Sequence, residues 1–145
     1  MLGVPDSVLF ACSHNAVRSP MAENMLKRLA GSAIYIDSVG VRAGELDPLA
    51  VEVMGEVGVD LSRHQPKTFA SLENSYFDLI VSLSPEAQHR AVEITRAMAC
   101  EVEFWRTLDP TDVAGSRAMQ LDIYRQVRDS LFTRIRDRFD LTLKG

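Results

Sequence analysis

The sequence predicts a single-domain α/β protein with a four-stranded parallel sheet and helices on both faces, a Rossmann-like three-layer arrangement. Short β-rich runs alternate with helical patterns along the chain, which is typical of parallel sheets. The 145 residues suit one domain, over residues 1–145, and 46% hydrophobic with 25% charged residues is ordinary for a globular fold. This composition excludes a disordered or low-complexity chain.

Four runs of residues are the predicted strands: 7–11, 33–38, 77–82 and 101–105. The first is a short continuous apolar run, as expected for a strand that is buried on both faces. The last alternates apolar and polar residues, the pattern of a half-buried strand. Right-handed crossovers between parallel strands place the helices on both faces of the sheet.

Helical patterns cover residues 19–30, 48–57, 85–99 and 116–140, and about five helices are expected in all. Pro20 and Pro85 stand in first turns, where proline is tolerated, and Ser84 is a good N-cap. Gly58 ends the second helix. The last helix is amphipathic, with a predicted inner face formed by Leu121, Tyr124, Val127, Leu131, Ile135 and Phe139.

Charge, apolar runs and cysteine content narrow the classes of function. The net charge of −4 argues against a nucleic-acid partner, which requires a basic face. No apolar run approaches the roughly 20 residues of a membrane helix, and the N-terminal segment lacks the features of a secretory signal. We therefore expect no membrane partner and a cytoplasmic location. Cys12 and Cys100 are too few for a disulfide framework or a zinc site, so their relevant chemistry is that of a thiol.

Ligands of parallel sheets bind beyond the carboxyl ends of the strands, so the chemistry is predicted after Ala11, Ser38, Ser82 or Trp105. The segment after the first strand has the most informative residues. This segment, the cysteine loop, consists of Cys12, Ser13, His14, Asn15, Ala16, Val17, Arg18 and Ser19. It joins a buried strand to a helix, so its backbone N–H groups converge at the positive end of the helix dipole. Such a position binds an oxyanion and favours the thiolate form of a cysteine.

The residue types of the cysteine loop fit a phosphate site with a nucleophile at its base. Ser13 and Ala16 are small enough for a tight curl, and Asn15 tolerates the left-handed conformation that such loops often need. Arg18 supplies a planar fork that matches two oxygens of a tetrahedral oxyanion. Ser19 either donates a hydrogen bond to the cysteine sulfur or caps the following helix.

The chain also resembles a known family. It is similar to the low-molecular-weight protein tyrosine phosphatases, a superfamily that contains the thioredoxin-coupled arsenate reductases, through Val8-Leu9-Phe10-Ala11-Cys12, Asn15 and Arg18-Ser19-Pro20-Met21-Ala22-Glu23. The similarity continues to the late pair Asp109-Pro110, through Asp37-Ser38, Asp47-Pro48 and Phe77-Asp78. This resemblance implies a phosphotyrosine protein phosphatase I-like fold, with Cys12 as the nucleophile and Arg18 as the phosphate clamp.

The resemblance further implies that Asp109 is the general acid, which protonates the leaving group and then acts as a base on the hydrolytic water. Pro110 biases Asp109 toward an extended conformation and stiffens the loop. Taken alone, an Asp-Pro pair also opens a turn before a helix. Asp112 is the fallback acid.

No metal ion or cofactor is expected, because Arg18 and the backbone donors already neutralise the phosphoryl charge. The three histidines show no spacing typical of metal ligands. We expect His14 to line the cysteine loop, and His64 and His89 to lie on the surface.

Two loops depart from the pattern of the tyrosine-specific members. The family's aromatic residues, which pack on the phenyl ring of the substrate, have no counterpart in residues 39–46 or in residues 111–113. Aromatic packing contributes about 0.5–1.5 kcal/mol, so phosphotyrosine affinity is expected to be about tenfold lower than with such a clamp.

Residues 51–58 and the Cys-x-His-Asn start of the cysteine loop look closer to the arsenate reductases, which need further thiols after the third strand. Residues 81–84 carry hydroxyls there instead. Cys100 is expected about 15 Å or more from Cys12 by strand rise, whereas a disulfide needs Cα atoms within ~7 Å. Val17 stands where many family phosphatases have a second cysteine, so peroxide is expected to inactivate Cys12 without forming a protective disulfide.

The sequence thus favours a phosphatase that hydrolyses phosphotyrosine or related aryl phosphomonoesters through a Cys12 phosphoenzyme. The expected partners are a phosphorylated protein or a small aryl phosphate as substrate, and phosphate, sulfate or arsenate as a ligand. Two alternatives remain: an arsenate reductase of the same fold, and a non-catalytic module that binds oxyanions.

Overall fold

The computed structural model describes residues 4–72, 75–96 and 98–139. Its strands are β1 (Ser7–Cys12), β2 (Tyr35–Gly40), β3 (Leu79–Ser82) and β4 (Glu101–Phe104). They form one parallel sheet in the order β2-β1-β3-β4. The predicted fold class, an α/β domain with four parallel strands, is confirmed.

The described residues form four α-helices, not the expected five. They are α1 (Arg18–Ala30), α2 (Pro48–Glu56), α3 (Pro85–Ile94) and α4 (Arg117–Arg138), with 3-10 turns at Phe69–Leu72 and Pro110–Asp112. The predicted cap of α3 is confirmed, because the Ser84 side chain accepts a hydrogen bond from the Ala87 amide. The expected end of the last helix, residue 140, lies outside the described residues.

The prediction that the third helix reaches residue 99 is wrong. α3 ends at Ile94, and Thr95 is its C-cap: the Thr95 amide and hydroxyl both donate to the Ala91 carbonyl, at 3.1 and 2.8 Å. A threonine hydroxyl that bonds locally to the backbone competes with a continuing helix. The apolar residues after Thr95 had suggested a further turn.

Successive residues of β1 face opposite layers of the molecule. Val8 and Phe10 pack with α1, α2 and α4, whereas Leu9 and Ala11 pack with α3 and the Phe69–Leu72 turn. None of the four is more than 1% exposed, which explains why the strand reads as a continuous apolar run. The six residues predicted for the inner face of α4 are all buried.

The register of the sheet brings the carboxyl ends of its strands to one edge. Cys12 pairs with Gly40, and Ala11 pairs with Ser82. The loops that leave β1 and β2 therefore meet at this edge, and the segment that leaves β4 arrives beside them. In the described part of the chain, no helix has the length and apolar character needed to cross a membrane.

Candidate active site

The carbonyl groups of the cysteine loop are held by partners on its outer side. Backbone amides of segment 41–47 donate to four of them, at 3.0 Å for Cys12, 2.9 Å for Ser13, 2.9 Å for His14 and 3.4 Å for Ala16. His64 Nε2 donates to the fifth, the carbonyl of Asn15, at 3.1 Å.

Outward carbonyls turn the next amides inward, because the C=O and N–H of a trans peptide point in opposite directions. The described residues contain no cis peptide bond. Within the described chain, the amides of residues 13–17 donate to no other protein group. The loop is therefore a ring of backbone donors, an arrangement of the kind that binds anions in proteins.

Gly40, the last residue of β2, permits the close approach of segment 41–47 to the cysteine loop. A Cβ atom at this position would lie 2.4 Å from the Arg42 carbonyl oxygen and 2.7 Å from both the Asn15 amide nitrogen and the His14 carbonyl carbon. All three are backbone atoms, so no side chain can move aside. Sequence reasoning missed Gly40, although a glycine at a strand end that faces a ligand loop is a signal of close backbone approach.

Cys12 lies at the base of the ring, 2% exposed. Its Sγ is 2.9 Å from Ser19 Oγ, so the serine hydroxyl can donate to the sulfur. The alternative role for Ser19, as the N-cap of α1, does not hold. The helix starts one residue earlier, at Arg18, and its N-cap Val17 makes no side-chain cap bond.

Asn15 holds the turn of the cysteine loop in shape. Its φ of 54° is left-handed, as its residue type had allowed. Its Nδ2 donates to Ser19 Oγ at 2.8 Å and to Ser38 Oγ at 2.9 Å. Its Oδ1 accepts from His64 Nε2 at 2.9 Å and from the Lys67 amide at 3.0 Å. Every hydrogen-bonding position of the amide side chain is filled, which fixes the strained backbone.

His64 is buried beneath the loop, so the prediction that it lies on the surface is wrong. Its side chain is 8% exposed, and Nδ1 lies 3.8 Å from Glu23 Oε1. Burial lowers the pKa of His64, while the Glu23 carboxylate opposes that shift. Since both partners of Nε2 on Asn15 are acceptors, this nitrogen carries the proton. The prediction for His89 is confirmed, with its side chain 83% exposed.

Glu23 and Ser38 complete this buried network. The Ser38 hydroxyl donates to Glu23 Oε1 at 2.5 Å, and Lys27 Nζ lies 2.5 Å from Glu23 Oε2. The chain of contacts runs from the Cys12 sulfur through Ser19 and Asn15 to these groups. Sequence reasoning did not find Glu23 or Ser38 as members of the site, although both lie in segments that carry the family resemblance.

Arg18 and Asp109 meet across a small cavity. Arg18 Nη1 donates to the Thr107 carbonyl at 3.1 Å, and Nη2 lies 3.5 Å from Asp109 Oδ2. The Arg18 side chain is 7% exposed and that of Asp109 is 22% exposed, so the guanidinium is buried and the carboxylate is accessible to solvent. The cavity has a volume of about 30 Å³ and is lined by Cys12, His14, Ala16, Val17, Arg18, Asp109 and Thr111.

The segment that carries Asp109 is held in an extended turn. Asp109 has φ −85° and ψ 107°, and its Oδ1 accepts from the amide and the hydroxyl of Thr111, at 3.0 and 2.7 Å. Oδ2 is left to face Arg18 and the cavity. Asp112, the fallback acid, is exposed and does not line the cavity.

The outer rim of the site carries an ion pair. The sequence has no aromatic residue in segment 41–47 that could act as a clamp. Arg42 Nη1 and Nη2 bond to the two Glu86 carboxylate oxygens at 2.6 and 2.8 Å. This pair joins segment 41–47 to the first turn of α3. It lowers the pKa of Glu86. No described Phe, Tyr or Trp side chain lines the cavity.

The two cysteines are free and lie at opposite edges of the sheet. Leu79 pairs with both Val8 and Glu101, so Cys100 stands about five residues from Cys12 along the strand direction. That offset is roughly 16 Å by strand rise alone, far beyond the ~7 Å limit for a disulfide. Burial, followed by the charge of Asp78, raises the pKa of the Cys100 thiol.

Hydroxyls occupy the positions after β3 where a disulfide relay would need thiols. Ser13 Oγ donates to Ser84 Oγ at 3.1 Å, so Ser84 stands directly beside the cysteine loop. Its oxygen cannot form a disulfide. Among the residues that the structure describes, no group of three His, Cys, Asp or Glu side chains is arranged to hold a metal ion.

The fold and the site together define a class of small α/β domains that present a cysteine and an arginine within a ring of backbone amides. The chain belongs to the low molecular weight phosphotyrosine protein phosphatase family, whose model matches residues 7–144.

Similar curated proteins include arsenate reductases. That of Bacillus subtilis (strain 168) is 29% identical over 130 residues, which cover 90% of this chain and 92% of the relative. Arsenate reductase 2 of Staphylococcus haemolyticus is 30% identical over 129 residues, which cover 89% of this chain and 92% of the relative.

Similar solved structures include phosphatases. A mutant of YwlE from Bacillus subtilis is 27% identical, with a TM-score of 0.76 over 96% of this chain and 99% of that one. A mutant of YwlE arginine phosphatase with a phosphorylated active-site serine is 25% identical, with a TM-score of 0.75 over 94% and 95%. The tyrosine phosphatase AmsI of Erwinia amylovora shares the fold, with a TM-score of 0.76 at 21% identity over 98% and 95%.

Proposed function

We propose that this protein is a phosphatase that hydrolyses phosphotyrosine or related aryl phosphomonoesters through a cysteinyl-phosphate intermediate. The observation that carries the proposal is the inward ring of amides, with the Cys12 sulfur at its base and Arg18 and Asp109 on its wall. A nucleophile, a charge clamp and a proton donor then face one small cavity.

In the first step the Cys12 thiolate attacks phosphorus, the P–O bond to the leaving group breaks, and Asp109 gives its proton to the departing oxygen. The inward amides and the Arg18 fork stabilise the charge on the three remaining phosphoryl oxygens. In the second step the Asp109 carboxylate takes a proton from water, whose oxygen attacks phosphorus. The P–S bond breaks, phosphate leaves, and the thiolate is regenerated while Ser19 Oγ–H supports it.

Arsenate reduction is the second candidate, because the similar curated proteins carry that name. The same ring of amides accepts arsenate, which has the tetrahedral shape of phosphate. Two observations oppose it: Cys100 lies near the other edge of the sheet, and Ser84 supplies a hydroxyl beside the loop. With two cysteines in the chain, a thiol relay would need an external partner at its first step.

The third possibility is a module that binds oxyanions without turnover. It would keep the ring of amides but lack a working acid. Asp109 argues against it, because its Oδ2 faces the cavity at 3.5 Å from Arg18.

The test is turnover of para-nitrophenyl phosphate by the wild type and by Cys12→Ser, Asp109→Asn and Asp112→Asn. We expect no turnover with Cys12→Ser, and a loss of about 10²–10⁴-fold with Asp109→Asn if it is the general acid. Turnover by Asp112→Asn should stay near that of the wild type. A larger loss of turnover in Asp112→Asn than in Asp109→Asn would assign the general acid to Asp112.

Two further assays separate the alternatives. Arsenate-dependent consumption of reduced thioredoxin without phosphatase turnover would favour the reductase, and tight phosphate binding with neither activity would favour the binding module. Phosphoarginine belongs beside phosphotyrosine in the substrate panel, because one similar structure is an arginine phosphatase and this rim has no aromatic clamp. Faster turnover of phosphoarginine would overturn the aryl specificity while leaving the cysteine mechanism in place.

A further inference from the structure

One wall of the cysteine loop depends on a contact from the last helix. The Ala16 carbonyl is turned outward by the Asp47 amide, whose bond of 3.4 Å is the longest of the four made by segment 41–47. Because Ala16 C=O and Val17 N–H share one peptide plane, the position of Asp47 sets the direction of the Val17 amide. Val17 lines the cavity.

Asp47 is fixed through both of its carboxylate oxygens. Oδ1 accepts from the Leu49 amide at 2.8 Å and so caps α2, and Oδ2 accepts from Tyr124 Oη at 2.5 Å. Pro48 follows Asp47 and keeps it extended, with φ −80° and ψ 122°. Each of these contacts restrains the amide that reaches Ala16.

Tyr124 is well placed to act as a rigid anchor. It lies on the inner face of α4 and is 3% exposed. Burial, then the hydrogen bond to Asp47, raises the pKa of Tyr124, and the charge of Asp109 adds to the shift. The phenol therefore stays protonated and donates to Asp47. Within the described residues, it is the one α4 side chain that hydrogen-bonds to segment 41–47.

We propose that Tyr124 is a positioning residue for oxyanion binding: through Asp47 it holds the Ala16 carbonyl outward and the Val17 amide toward the bound oxyanion. The inference rests on the proposed use of the cysteine loop as an oxyanion site. Helix α4 then has a second role besides packing. It follows the Asp109 segment, which forms one wall of the cavity, and it also fixes the opposite wall.

The decisive variants are Tyr124→Phe and Asp47→Ser, with Tyr35→Phe as the matched control. Serine keeps the cap of α2, because its hydroxyl accepts from the Leu49 amide, but it lacks the second oxygen that binds Tyr124. Tyr35 is 64% exposed at the start of β2, away from the cysteine loop. Inorganic phosphate is the probe, with its affinity measured by calorimetry, and circular dichroism reports folding. We expect phosphate affinity to fall by about threefold to tenfold in each test variant, the usual effect of one lost hydrogen bond, and to be unchanged in the control.

Two measurements distinguish a positioning role of Tyr124 from a merely structural one: phosphate binding by the double variant, and the dependence of kcat/KM on the leaving group. Both residues act through one contact, so the double variant Tyr124→Phe/Asp47→Ser should bind phosphate no more weakly than the single variant with the lower affinity. The loss in kcat/KM should be equal for aryl phosphates with good and poor leaving groups, because amide positioning does not depend on the acid.

Three results would overturn the proposal: wild-type phosphate affinity in folded Tyr124→Phe, additive losses in the double variant, or a loss confined to poor leaving groups. Should Tyr124→Phe fail to fold, Asp47→Ser tests the same contact alone, and wild-type phosphate affinity in folded Asp47→Ser would overturn the proposal. Phosphate binding is measured without turnover, so an inactive wild type whose phosphate affinity still depends on Tyr124 would refute only the proposed function.

Discussion

Replacing Gly40 by alanine tests whether the backbone packing around the cysteine loop creates the site. The added Cβ would stand 2.4 Å from the Arg42 carbonyl oxygen, whereas real Cβ contacts stay above 3.0 Å, so the backbone must give by about 0.6 Å or more. The other two atoms, at 2.7 Å, belong to Asn15 and His14 of the cysteine loop itself. The strain therefore falls on the amides that we propose as the oxyanion site.

The expected loss is larger in activity than in stability. Overpacking of this kind costs about 1–3 kcal/mol of unfolding free energy, while a displacement approaching 1 Å in a preorganised site costs about 10²-fold in rate. The assay is kcat/KM for para-nitrophenyl phosphate together with urea unfolding. A folded Gly40→Ala protein should thus show about a hundredfold lower kcat/KM.

The matched control is Gly55→Ala within α2. A Cβ at Gly55 meets no atom within 4 Å, so the same chemical change has no clash there. It should leave kcat/KM unchanged and raise stability by up to about 1 kcal/mol, because alanine is the better helix former. Wild-type kcat/KM and wild-type phosphate affinity in Gly40→Ala would refute the reasoning about the ring of amides.

Two further predictions concern pH and oxidation. Arg125 and Arg128 hydrogen-bond to Glu56 and lower its pKa from 4.5 to about 2. The unfolded state therefore binds a proton at Glu56 more tightly than the folded state does. The resulting stabilisation of the fold is present above pH 4.5 and is lost as the pH falls toward 2. Glu56→Gln should flatten urea-unfolding stability against pH in that window, and equal slopes in the two proteins would contradict this. Peroxide should inactivate the enzyme by oxidising Cys12 alone, and a Cys12–Cys100 peptide in mass spectrometry would show that reasoning to be wrong.

Much of the fold could be read from local patterns. A continuous apolar run predicted β1, and prolines in first turns predicted the starts of α1 and α3. The apolar stripe predicted the inner face of α4, and the structure contains all of these elements. The end of α3 could not be read, because the apolar residues after Thr95 continued the helical pattern although the helix ends at Ile94. The left-handed turn at Asn15 was anticipated from its residue type alone.

The partners of the cysteine loop were beyond the reach of the sequence. His64 looked like a surface residue because nothing near it in the chain says that it is buried beneath Asn15. Glu23 lies on a helix, where a charged residue usually faces solvent, and its burial beside Ser38 depends on how α1 packs against β2. Such contacts join residues far apart in the chain.

The sequence by itself determined the class of fold, the loop with its cysteine and arginine, and the Asp-Pro pair, because each is a local pattern of residue types. Only the tertiary structure decided which way the peptide planes of that loop point. Their direction is set by amides of segment 41–47, by the missing Cβ of Gly40 and by His64, groups that the sheet and the packed helices bring together. The orientation of a peptide plane is not indicated by any side chain, because it is fixed by the hydrogen-bond partners of its C=O and N–H groups.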